Sequence, residues 1–195
     1  MVILLSIWLV ALLITAQASR TMKSGRASLR SMMTKSAVSV ACSLSVGLSG
    51  VLAAPLEEKL VNAQPAELET IVTGDIEERQ ALITADFTRS IYSEEATFKD
   101  EIDTYPIDKY VQGTKALFVP EKSHVDLLGE VKADKDLITF KFQEVLCFNI
   151  PVIQPRVSLS GYVELFRDKK DGLITRSVEH WDQPVKDVLK TATFF

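Results

Sequence analysis

The sequence predicts an α+β fold for its C-terminal part: N-terminal helices packed on a bent, curved antiparallel β-sheet. Three observations carry this. Charge divides the chain near residue 54, leaving one domain-sized acidic piece behind a basic leader. From there to about residue 120 the apolar positions recur every three to four residues. After residue 120 the period becomes two.

The leader comes first. Residues 1–54 carry five basic residues (Arg20, Lys23, Arg26, Arg30, Lys35) and no acidic one. Val2–Thr15 is a nearly unbroken apolar run, short for a membrane span and suited to a signal-peptide core, followed by Ala16-Gln17-Ala18. Residues 19–36 are basic and rich in Ser, as transit peptides are. Residues 37–54 are a second mild apolar segment ending in small residues. That order resembles the presequences of algae with complex plastids, which implies a plastid location, thylakoid lumen or stroma. Secretion, or an anchor retained at residues 37–54, is the alternative.

Residues 55–195 hold 17 basic and 26 acidic residues, a net of −9. Such a surface argues against nucleic acid as partner. One thiol, Cys147, remains after the leader, so no intrachain disulfide is expected, and no membrane span is expected in the mature chain.

In order, residues 56–73 read as a helical lead-in broken at Gly74. Asp75 then reads as the N-cap of a second helix, with Ile76, Ile83, Phe87 and Ile91 as its apolar stripe. Tyr92–Glu95 ends it, and Ala96–Phe98 is a short strand. Pro106 opens another helix, faced by Ile107, Tyr110, Val111, Leu117 and Phe118, and Pro120 stops it. Strands are expected at 123–132, 137–149, 156–167 and 173–182, with Asp171-Gly172 turning the last pair. In the second of these, Gln143-Glu144 interrupts the alternation, which predicts a β-bulge. In the third, Val157, Leu159, Gly161, Val163 and Leu165 share one face. A short helix follows from Val185.

Two stretches carry a family resemblance. One is Ile91-Tyr92-Ser93-Glu94-Glu95-Ala96-Thr97-Phe98-Lys99-Asp100. The other is Ser160-Gly161-Tyr162-Val163-Glu164-Leu165-Phe166 with Gly172 to Asp182. Together, over residues 72–195, they resemble the nuclear-transport-factor-2-like superfamily, which includes SnoaL-like and ketosteroid-isomerase-like proteins, and look most like a plant and algal branch of unknown function. Glu101 stands where a Pro often follows the acidic residue in that family. The resemblance implies a cone with a cavity at its open end. In relatives such cavities hold small apolar molecules, perform chemistry, or belong to dimers formed through the sheet.

The candidate residues follow from that geometry. Asp100 is the candidate general base for proton abstraction beside a carbonyl, with tyrosines as donors to an oxyanion. His180 is the second catalytic candidate, and its neighbour Trp181 must face the other side of the strand. Glu179 shares the Trp181 face. The expected pocket wall is Tyr92, Phe98, Tyr110, Phe140, Phe142, Tyr162 and Trp181. His124 and His180 lack metal-ligand spacing, so no metal site is expected, and no cofactor is implied. Phosphate-loop, dinucleotide, serine-elbow and zincin motifs are all missing. The expectation is a domain that binds a small apolar ligand or a protein partner without catalysis. The alternatives are a SnoaL-type isomerase, cyclase or dehydratase using Asp100, and a structural homodimer formed through the sheet.

Overall fold

Helix α1 (Pro65–Glu77) runs straight through Gly74. Leu68, Val72 and Ile76 are spaced by four, so they form one buried stripe that outweighs the helix cost of a single glycine. In this computed structural model the described residues are 58–194. The expected presequence, residues 1–54, and the start of the 55–71 lead-in lie outside them.

Asp75 is therefore inside a helix and not at its N-cap. It is buried, pairs with Arg79, and accepts hydrogen bonds from Thr88 N (2.9 Å) and Thr88 Oγ1 (2.8 Å). Those bonds pin the return of the chain after α1. The expected long second helix is replaced by α2 (Ala81–Thr84), a 3₁₀ turn (Arg89–Ile91) and an early start of β1 (Tyr92–Lys99). Gln80 and Ala85 take positive φ (55° and 53°), which ends a helix at each. Gln80 is held there because its amide spans the sheet edge: Oε1 accepts from Val125 N (2.8 Å), and Nε2 donates to Val125 O (3.0 Å).

After β1 come β2 (Thr104–Pro106), α3 (Ile107–Leu117), a 3₁₀ turn (Pro120–Lys122), β3 (His124–Leu127) and β4 (Lys132–Ala133). Then follow β5 (Leu137–Cys147), β6 (Arg156–Arg167), β7 (Ile174–Trp181), α4 (Val185–Val188) and a last 3₁₀ turn (Leu189–Thr191). The fold is α+β, with one curved sheet in the order β2-β1-β7-β6-β5-β3, and β4 also pairs with β5. The sheet is mixed and not wholly antiparallel, because β1 runs parallel to β7. Gly129 (φ +84°) separates β3 from β4 where one strand was expected.

Strand β5 has no bulge. Its register with β6 is unbroken from Leu137↔Phe166 to Cys147↔Arg156. Ile138, Phe140, Phe142, Glu144 and Leu146 therefore all fall on the inner face, and Glu144 is buried with them. The expected inner face of β6 is the observed one. At Gly161 the neighbouring strand comes so near that a Cβ would lie 2.0 Å from the His180 carbonyl oxygen. The β6–β7 turn spans residues 168–173, with Gly172 at φ +71°.

Arg167 locks three loops at this end. It is nearly buried and donates to Ala63 O (2.9 Å), Asp134 O (3.0 Å) and Gly172 O (2.9 Å).

Candidate functional site

The site is built where α3, the inner sheet face, the β1–β2 turn and the C-terminal segment meet. Two adjoining pockets of about 110 Å³ each share Asp100, Tyr105, Leu117, Phe118, Leu146 and Trp181. A cavity of about 150 Å³ accommodates benzene; a single lobe is smaller than that, and a ring-sized ligand would span both. One lobe is walled by apolar side chains from β6 and the C-terminal segment: Val157, Leu159, Val185, Val188 and Leu189. The other reaches Tyr110 and Thr114 on α3, and the carboxyl groups of Glu144 and Glu179.

Strand periodicity places these acids. Glu144 is two residues from Phe142 and Leu146 on β5 and shares their inward face. Glu179 is level with Val163 on β6, and Trp181 is level with Gly161. The parallel register of Lys99 with Val178 brings Asp100, the next residue, beside Glu179.

Glu144 is 4% exposed and forms no ion pair among the described residues. Burial, and then the charge of Glu179, hold its carboxyl well above the ordinary range. Glu179 is pushed to about 7 by burial. The Trp181 indole, which donates to its Oε1 at 2.5 Å, opposes that shift, while Asp100 and Glu101 add to it. Glu179 is part-buried and lines the pocket. Burial also raises Asp100, against two backbone hydrogen bonds that Oδ1 accepts from Ile102 N and Asp103 N, both 2.7 Å. Asp100 is thus both the cap of a turn and part of the pocket wall. Tyr110 stays a neutral phenol, because burial and the nearby Glu179 and Glu144 all oppose its ionisation.

The structure brings together Asp100, Tyr110 and Trp181 from the expected set. Tyr92, Phe98 and Phe140 surround a void of only about 20 Å³ and belong to packed core. The Phe98 and Tyr110 rings stack at 4.1 Å, and Tyr92 stacks on Phe98 at 5.6 Å. Phe142 is fully buried in that core. His180 and Tyr162 lie on the outer face, stacked on each other at 4.6 Å, with His180 Nε2 at 3.1 Å from Glu164 Oε2. Neither lines the pocket, because Glu179 and Trp181 occupy the inward positions on either side of His180. Tyr105, Phe118 and Glu144 are wall residues that the sequence reading missed. Strict alternation through β5 is the signal that would have found Glu144.

Among the described residues no cluster of His, Cys, Asp and Glu fits a metal ion, and no helix is long and apolar enough to cross a membrane.

No protein-family model matches the chain, and no curated protein matches its sequence. Solved structures do. One is an NTF2-like protein from Anabaena variabilis, with 16% identity, 60% of this chain and 90% of that one covered, and a TM-score of 0.41. Another is an LEH-like epoxide hydrolase from M. tuberculosis, with 15% identity, 66% and 91% coverage, and a TM-score of 0.47. The chain is similar to both in the course of its backbone.

Proposed function

We propose that the domain binds a small, largely apolar molecule in the pocket between α3 and the inner sheet face. The observation that carries this is a buried, ion-pair-free Glu144 opening onto the lobe of the pocket that adjoins the apolar one. A carboxyl group in such a place is costly to a core, and a ligand offsets that cost. Native mass spectrometry of the purified chain tests it. A bound small molecule, lost on denaturation, is the expected result. No bound mass, together with no thermal stabilisation by benzene-sized probes, overturns it. The same spectrum reads the alternative of a homodimer through the outer sheet face.

A second reading is favoured by Glu179. A carboxyl group titrating at about 7 beside other carboxyl groups raised by burial is suited to proton transfer, with Glu179 or Asp100 as base and Glu144 or Tyr110 as donor to a developing oxyanion. This is the chemistry of an isomerase or dehydratase. Solvent exchange of a C–H next to a ketone, followed by NMR, reads it. Exchange that persists in Glu179→Gln combined with Asp100→Asn counts against it.

The leader supports a plastid address. A fluorescent fusion of residues 1–60 enters the plastid on this reading, and its accumulation in the medium overturns it.

A further inference from the structure

We propose that the ligand of this pocket carries a positively charged amine, seated against the carboxyl groups of Glu144 and Glu179. This rests on the pocket reading above and names the chemistry of its occupant. The wall offers acceptors and ring faces and few donors. Three carboxyl groups face it, from three places: Glu144 on β5, Glu179 on β7 and Asp100 in the β1–β2 turn. No arginine lines it, and its one lysine, Lys109, lies on an exposed turn of α3. The Trp181 indole N–H is already spent on Glu179. Aromatic side chains of Trp181, Tyr105 and Phe118 supply the π surface on which an ammonium gains further attraction. An anionic ligand meets three acidic side chains here, and a neutral one leaves them unpaired. A cation resolves both.

The geometry sets a pH response. Facing Glu179 are Glu144, Asp100, Tyr110 and Glu101, with Lys109 as the one basic group on the pocket wall. Binding of an ammonium needs Glu179 ionised, so affinity rises with pH through about 7.

Benzylamine and benzyl alcohol are isosteres of a size to span the two lobes, and they differ in charge. Calorimetric titration of the full chain at about pH 6 and about pH 8 compares them. Benzylamine is expected to bind more tightly than the alcohol and to gain about tenfold between the two pH values, because the ionised fraction of a group near 7 rises about tenfold. The alcohol shows no such gain. Glu179→Gln flattens the amine's pH response, and Glu144→Gln lowers its affinity. Equal or tighter binding of the alcohol overturns the charge assignment and leaves the pocket standing. Binding of neither probe overturns both. Amine binding unchanged in both variants overturns the assignment too, since it marks adsorption to the acidic surface.

Discussion

Replacing Glu179 by Gln stabilises this domain at alkaline pH and leaves it nearly unchanged in acid. Gln keeps the shape and an oxygen that accepts the Trp181 indole hydrogen, so the substitution isolates the charge. In the unfolded chain the carboxyl ionises at the ordinary 4.5, and in the folded one at about 7. Below 4.5 both states are protonated and the group has no effect. Between 4.5 and 7 the unfolded state loses its proton first, so stability falls as pH rises. Above 7 the loss is complete, and the gap corresponds to about 3 kcal/mol. Asp100 and Glu144 shift in the same direction, so wild type also declines across this window. Glu94 and Asp187 shift down, and their contribution is already constant there. Urea denaturation at about pH 4.5 and about pH 8 measures the effect. Glu179→Gln is expected to gain about 3 kcal/mol at the higher pH, about 10 °C in Tm. Equal stability of variant and wild type at about pH 8 refutes the reasoning, for it places Glu179 in contact with water.

Other substitutions probe the frame around the pocket. Gly161→Ala sets a Cβ against the His180 carbonyl, a backbone atom that yields only if β6 and β7 part. Thermal melting should show a loss of about 3 kcal/mol. Arg167→Met strips hydrogen bonds from three carbonyls in three loops and should cost about 4 kcal/mol, read by urea titration. His180→Gln alters a side chain outside the pocket wall, 3.1 Å from Glu164 and 3.9 Å from Glu101, so benzylamine affinity measured by calorimetry should stay within about twofold of wild type. A larger change would mean that the outer face communicates with the pocket.

The sheet was legible because its signal is local. The inner face of β6 follows from alternation alone, and Asp171-Gly172 announces its turn. Helix ends after α1 were not legible, because distant groups set them: Gln80 leaves the helical region to bind Val125, 45 residues away, and Asp75 is held by Thr88. The candidate site was half legible. Asp100, Tyr110 and Trp181 came from family likeness and strand phase. Glu144 did not, since a charge in an apolar alternation reads as a change of face. An inward acid breaks the rule that places residues by polarity, and such breaks gather where a fold does something other than hold itself together.

The parallel contact between β1 and β7 joins residues about eighty positions apart, with every other strand lying between them in sequence. Its consequence is temporal. While the chain emerges from a ribosome, β1 has no partner except the three-residue β2 until Trp181 has passed. Strands β3 to β6, against whose first two members α1 packs, are made before β7, so β1 and β2 are the part of the sheet that must wait. The domain therefore completes its fold only near the end of synthesis, when β7 joins β1 to the strands already paired.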